Sequence, residues 1–302
     1  MSWLLPLVAS LVAHGEPGAL DVKDPGMPPP PPNAALANSL GAIPPEIVDL
    51  ARSVSGEPLA VRMATISQAM LGKPYLSDPL GEGYGTDPDP IARYDAFDCL
   101  TFAEEVLALS LAPDPVHAAQ VRSELRYGAG NPVAYVQRRH FMELQWIPGV
   151  IEDGWLRMSS ADYGPVTVLE KEVTADTWKW WRSRKAFAHT DEELPKGTMR
   201  LEVLDLQTAK KVAGDIRPGS LILTVRKDRA GVPLWVTHVS LLVANEEGKL
   251  VMRHATKMGS GGTRDHSLEW YLGHLETYKN WKVEGIAVME PLEPGPRRTA
   301  LP

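Results

Sequence analysis

Tyr94-Asp95-Ala96-Phe97-Asp98-Cys99-Leu100-Thr101-Phe102-Ala103-Glu104-Glu105-Val106-Leu107-Ala108-Leu109 is the stretch in which a polar turn becomes a strongly helical run. Asp98 is a favourable N-cap, and neither Gly nor Pro interrupts the run before Pro113. Positions 99, 102, 103, 106 and 107 share one helical face and are Cys, Phe, Ala, Val and Leu. Cys99, the single cysteine among 302 residues, therefore stands in the first turn of a helix that packs on a core. Unpaired backbone N–H groups and the positive end of the helix dipole favour a thiolate there. Taken alone, such a cysteine is more often a small buried thiol. What the rest of the chain brings to it decides between the two.

The length is enough for one large domain with extensions. The net charge of −7 and the absence of a long Lys/Arg cluster argue against nucleic acid as a partner, since phosphate binding needs a basic face. No run of 18 apolar residues is present, which argues against stable membrane insertion. Near the start, Trp3-Leu4-Leu5-Pro6-Leu7-Val8-Ala9-Ser10-Leu11-Val12-Ala13 has the length of a secretory apolar region, with small residues around Ala9, Ala13 and Ala19, although the usual positive flank is missing. We read 1–19 as a signal peptide, and the protein as exported to the periplasm or the exterior. A single cysteine excludes an intrachain disulfide, so an unpaired thiol in an exported chain needs a reason.

Residues 20–33, ending in Pro28-Pro29-Pro30-Pro31-Pro32, read as a polyproline spacer. Residues 34–290 read as one domain with an N-terminal helical extension, and 291–302 as a frayed tail. Helices are expected at 34–40, 44–53 and 58–71, the last stopped by Gly72 and Pro74. The loop 72–89 contains Gly81-Glu82-Gly83-Tyr84-Gly85, which is no phosphate loop because neither a strand before it nor a Lys-Ser/Thr after it is present. A second helix, 114–126, is capped by Asp114 with Pro115 in its first turn. From Val166 the texture turns to β, with strands expected at 166–173, 199–206, 220–225, 234–244, 249–256 and 283–289. A short helix at 267–275 is capped by Ser267. Helices first and sheet second define an α+β domain with mainly antiparallel pairing.

Two of the eight histidines, His238 and His254, lie in expected strands. Between those strands, Asn245-Glu246-Glu247-Gly248-Lys249 fits a three-residue hairpin loop with Gly248 in the left-handed position. Asn245 then faces Lys249, His254 faces Ser240, and His238 shares their face as a diagonal neighbour. A loop one residue shorter or longer would put the two rings on opposite faces. Two imidazoles on one face suit a base oriented by a second polar group, serving a thiol or hydroxyl nucleophile.

Phe97-Asp98-Cys99-Leu100-Thr101-Phe102-Ala103-Glu104 resembles the Asp-Cys-x-Thr-Phe-x-Glu signature of the DUF1460 family, a branch of the NlpC/P60 papain-like cell-wall hydrolases. Arg138-Arg139-His140-Phe141 with Trp146 is similar to its Arg-x-His-Tyr…Asp-Trp segment. Gly219-Ser220-Leu221-Ile222 is similar to its Gly-Asp turn and strand. Thr237-His238-Val239 resembles its catalytic strand, His254-Ala255-Thr256 the strand supplying its third catalytic group, and Ser267-Leu268-Glu269-Trp270-Tyr271-Leu272 with Gly285-Ile286 its closing helix and strand. The order holds over about 60–290. Four positions depart from the pattern: Ser240 for Gly, Phe141 for Tyr, Gln145 for Asp and Ser220 for Asp.

The resemblance implies a papain-like NlpC/P60 fold of class α+β, with the nucleophile helix packed on the sheet. It implies a monomeric N-acetylmuramoyl-L-alanine amidase acting on peptidoglycan or muropeptide fragments, without metal or other cofactor. Cys99 would be the nucleophile, His238 the base and His254 its orienting partner, with Tyr135, Arg138, His140 and Trp146 on the substrate. Three other readings stand beside it: an endopeptidase cutting between γ-D-Glu and the diamino acid of the stem, a zinc hydrolase using His140, His238 and His254, and a wall-binding module with a decayed site.

Overall fold

A computed structural model describes residues 43–293. The expected signal peptide, the proline spacer and the helix at 34–40 lie outside the described residues, as does the tail from 294.

Helices α1 (Pro45–Ser53), α2 (Leu59–Gln68), α3 (Cys99–Leu111) and α4 (Ala118–Tyr127) come first. A short α5 (Ile147–Glu152) follows, preceded by a π-turn at Met142–Trp146. Then come β1 (Leu156–Met158), β2 (Thr167–Val173), α6 (Ala175–Trp180), β3 (Gly197–Asp205), α7 (Leu206–Val212), β4 (Leu221–Arg226), β5 (Val236–Ala244), β6 (Leu250–Thr256), β7 (Gly262–His266), α8 (Leu268–Leu275) and β8 (Val283–Pro291). The eight strands form one sheet in the order β2-β3-β8-β4-β5-β6-β7, with β1 pairing β8, and every pairing is antiparallel. The α+β class read from the sequence is the class observed.

Alternation along the strands fills two cores. On β4, Leu221, Leu223 and Val225 join a cluster with Phe102, Val106 and Leu107 of α3, while Ile222 joins a second with Leu268 and Leu272 of α8. On β5, Val239, Leu241 and Val243 go to the first and Leu242 to the second. Where β3 meets β8, a Cβ on Gly285 would come within 1.9 Å of the Leu204 carbonyl oxygen, so only glycine permits this approach.

The expected helix at 114–126 is divided. Asp114 accepts from the Val116 N–H at 3.0 Å and starts a 3₁₀ turn at Pro115–His117, after which α4 begins at Ala118. The strand expected from Leu234 begins at Val236, because the backbone N–H groups of Trp235 and Val236 both donate to Glu143. The tail expected to fray from 291 is held through 293: Leu292 N–H donates to the Trp155 carbonyl at 2.9 Å, and Glu293 accepts from Arg62 at 2.5 Å.

The helix α3 differs most from its sequence reading. One apolar face was expected, yet every residue from Cys99 to Leu111 except Leu100 is buried, including Glu104 and Glu105. Their partners explain this. Arg122 on α4 makes a two-pronged bond to Glu105, both N–O distances 2.6 Å. Arg126 reaches Glu104 at 2.6 Å and Glu105 at 3.1 Å, and Tyr94 donates to Glu105 at 2.6 Å. Burial alone would raise the Glu105 carboxyl, but the guanidinium groups of Arg122 and Arg126 hold it below the usual range.

Candidate active site

Asp98 fixes where α3 begins. Its carboxylate accepts from the Thr101 N–H at 2.8 Å, and the Thr101 hydroxyl accepts from the Asp98 N–H at 3.1 Å, a reciprocal capping box. Cys99 is thereby held at the first helical position, fully buried.

The hairpin brings the two imidazoles together. The Asn245 N–H donates to the Lys249 carbonyl at 2.9 Å, and Gly248 has φ +73°. The register continues through Ala244–Leu250 to Leu241–Arg253, as the three-residue loop requires. His238 and His254 accordingly meet, Nε2 to Nδ1, at 2.6 Å. The ladder between β5 and β6 ends at Leu241–Arg253. Below it, the Val239 N–H, which by alternation points toward β6, acts on the Cys99 thiol. Cys99 thus sits at the splayed end of the hairpin, against the residue that follows His238.

Both groups are neutral at rest. Burial, with the Asp98 carboxyl beside it, pushes the Cys99 thiol up to about 12, against the pull of the Val239, Cys99 and Leu100 amides. Burial and the Arg226 charge push His238 down to about 3. Burial also raises Asp98 to about 7, although the bonds from Thr101 pull it back. The dipole at the start of α3 does not make a resting thiolate in this site, because desolvation outweighs it. Since Cys99 is the single cysteine, iodoacetamide reads it directly. With the thiol held near 12, the alkylation rate is expected to climb steadily from pH 7 to pH 10, roughly tenfold per unit. A plateau across neutral pH would instead indicate a standing thiolate–imidazolium pair.

The four departures from the expected pattern are locally satisfied. Ser240 turns its hydroxyl to His254 Nδ1 at 3.2 Å. Phe141 packs against Trp178 and Phe187, each with ring centroids 4.7 Å away. Gln145 Oε1 accepts from the Phe141 N–H at 3.2 Å, and the Ser220 hydroxyl donates to the Arg217 carbonyl at 2.8 Å.

The expected substrate residues are used otherwise. Trp146 is fully buried, its indole N–H donating to Glu104 at 2.9 Å. It is a core residue behind α3, and its side chain presents no surface. Arg138 ties down the loop before α3, donating to the Leu80 carbonyl at 2.6 Å and pairing with Asp87 at 2.6 Å and Glu82 at 3.4 Å. His140 meets the Tyr135 carbonyl at 2.7 Å, and the Tyr135 hydroxyl accepts from the Ala188 N–H at 3.1 Å. With His189 and Phe187 these rings form one aromatic cluster. His140 therefore belongs to a different cluster from His238 and His254. Among the described residues no group of three or more His, Cys, Asp or Glu is arranged to hold a metal ion.

Three contributors were not anticipated. His266 on β7 meets His254 Nε2 through its Nδ1 at 2.9 Å. Glu143 anchors the start of β5 with two backbone bonds of 2.5 Å. Lys257, just past β6, lies within electrostatic reach of Asp98 and Cys99 and lines a cleft of about 490 Å³ with Tyr75, Leu76, Ser77, Gly259, Ser260 and Gly261. A charged residue in a loop after a strand, or a His in an edge strand of polar residues, carries no periodicity that marks it in sequence.

The start of α3 holds a buried Cys, adjacent strands carry two bonded imidazoles, and residues 65–277 match the family described as N-acetylmuramoyl-L-alanine amidase-like. The chain belongs to this AmiA-like amidase family. Comparison with curated proteins gave no match. Among solved structures, protein LPG0564 from Legionella pneumophila, a DUF1460 protein, is similar with 20% identity and a TM-score of 0.70, over 87% of this chain and 97% of that one. An N-acetylmuramoyl-L-alanine amidase from Bacteroides uniformis is similar with 18% identity and a TM-score of 0.59, over 78% of this chain and 99% of that one. At these identities the likeness shows the fold.

Proposed function

We propose that this chain is a cysteine hydrolase of peptidoglycan fragments, of the papain-like NlpC/P60 kind, that cuts the amide between the muramic lactyl group and L-Ala. The observation that carries the reading is the bonded His238–His254 pair beside the Cys99 helix start, in a chain of the amidase-like family. His238 takes the Cys99 proton as sulfur attacks the lactyl carbonyl, so that charge separates only when substrate is in place. The backbone N–H groups at the start of α3 hold the oxyanion. His238 then gives the proton to the departing L-Ala amine. Afterwards it draws a proton from water, which hydrolyses the thioester and frees the thiol. His254 orients the base. The cleft between Tyr75–Ser77 and Lys257–Gly261 is the place for the substrate chain. Export, read from Trp3 to Ala13, belongs to the same proposal.

The bond is tested by digesting defined muropeptides and weighing the products. Free stem peptides beginning with L-Ala are expected. Products retaining L-Ala on the sugar and cut after γ-D-Glu would assign the endopeptidase activity instead.

A further inference from the structure

His254 uses both ring nitrogens: Nδ1 toward His238 Nε2 at 2.6 Å, and Nε2 toward His266 Nδ1 at 2.9 Å. A neutral imidazole donates at one nitrogen and accepts at the other. The two bonds must therefore run in the same direction along the chain of three rings. His238 Nε2 is occupied by His254, which leaves Nδ1 as the nitrogen free to take a proton from the nucleophile. For Nδ1 to carry the lone pair, the His238 proton must be on Nε2. His254 then accepts at Nδ1 and donates from Nε2, and His266 must accept at a bare Nδ1. The Ser240 hydroxyl, 3.2 Å from His254 Nδ1, can donate to or accept from that nitrogen and is compatible with this direction.

We propose that His266 is a positioning residue that fixes the base tautomer of His238 through His254, and that protonation of His266 switches the base off. The inference rests on the reading of Cys99 and His238 as nucleophile and base. A protonated His266 carries N–H on both nitrogens and cannot accept from His254. His254 must then accept at Nε2 and carry its proton on Nδ1. His238 becomes the acceptor at Nε2, its own proton moves to Nδ1, and the lone pair that would take the thiol proton is lost. Each ring other than His266 keeps one proton, so the count balances with one proton taken from solvent.

His266 is suited to this role because it is the outermost ring, only part buried, and its plane is fixed. Trp270 of α8 stacks on it at 4.5 Å with 16° between planes, and His274 continues the stack at 5.1 Å and 8°. The groups facing it are His254 from β6, Trp270 and His274 from α8, and Arg264 and Asp265 of its own strand. Burial, then Arg264 and His274, favour its neutral form, while Asp265, itself paired with Arg253 at 2.7 Å, opposes them. Neutral His266 is the form in which the base works.

The test compares His266→Leu, which has no acceptor, with His266→Asn, whose Oδ1 stands where Nδ1 stood and does not titrate. Turnover of a muropeptide is followed against pH, with His238→Ala run alongside. His266→Leu is expected to lose roughly ten- to a hundredfold in kcat with KM little changed, as the base spends most of its time in the wrong tautomer. His266→Asn is expected to keep kcat within a few-fold and to shift the acid limb of the profile downward. Equal losses in both variants, or a Leu variant with wild-type kcat and profile, would overturn the proposal. An active His238→Ala would overturn the reading beneath it and the proposal with it. Should His266→Leu fail to fold, ¹⁵N spectra of the wild-type histidines decide: His254 must show a bare Nδ1 and a protonated Nε2, and the reverse contradicts the switch.

Discussion

Cys99→Ala is expected to lower the rate of L-Ala-peptide release at least 10³-fold while leaving thermal unfolding nearly unchanged. Members of a nucleophile–base pair act as a unit, so removing the nucleophile forfeits the whole of covalent catalysis, typically 10³-fold or more. Cys99→Ser is expected to fall almost as far. The site holds both partners neutral: the thiol is pushed up to about 12 and His238 down to about 3. A base so weakened takes a proton only as the sulfur bonds to carbon, and a hydroxyl, being less acidic and less polarisable, gains less from that help. The fold tolerates alanine because the N-cap contacts are made by Asp98 and Thr101, not by the thiol. Initial rates on one muropeptide, with melting curves for each variant, check both halves.

The second large effect concerns stability. Glu105→Ala is expected to destabilise the protein by about 3–5 kcal/mol, because it removes the carboxylate that balances the buried Arg122 guanidinium. Arg122 and Glu105 are essentially inaccessible, and their two 2.6 Å bonds are what permit α3 to be buried on all sides. Arg122→Leu should cost a similar amount, by leaving the carboxylate. The double variant Glu105→Leu with Arg122→Leu should recover much of the loss, since two apolar side chains replace the pair. Denaturant titration of the three proteins gives the coupling. Replacing Lys249 or Glu247, an exposed pair at 2.7 Å, should leave the midpoint unmoved.

Where the sequence was legible, short-range rules were enough. Asp98 and Thr101 lie three residues apart, so the start of α3 could be read from a cap. Gly248 and the spacing from Asn245 to Lys249 fixed the hairpin register, and with it the shared face of His238 and His254. What escaped was set by groups distant in the chain. Glu104 and Glu105 break the apolar pattern of α3, and only Arg122 and Arg126, brought back by α4, account for their burial. Trp146 was assigned to substrate through the family resemblance, and its hydrogen-bond partner, Glu104, is 42 positions away and so not visible from its own neighbourhood. Arg138 and His140 likewise carried the chemistry of recognition but are spent on loop and backbone contacts. The strand β7 went unread because Gly262-Thr263-Arg264-Asp265-His266 has no apolar alternation, and its third imidazole went with it. The pairing with β6, from Thr256–Gly262 to Met252–His266, is what gives it shape.

The same fold logic explains why the site lies where it does. The hairpin β5–β6 is ordered at its turn and splayed at its far end, and the capped start of α3 fills the opening. Glu143 holds that far end by binding two consecutive amides, and burial raises its carboxyl to about 7 against those bonds.

The most direct measurement is digestion of one defined muropeptide, the muramic sugar carrying L-Ala, D-Glu and the diamino acid, by wild-type protein and Cys99→Ala at equal concentration. Mass spectra of both reactions are recorded over the same time course. The wild type should release the intact peptide beginning with L-Ala, and the variant should release none above the no-enzyme control. Release of that peptide by Cys99→Ala within tenfold of the wild-type rate would contradict the thiol mechanism.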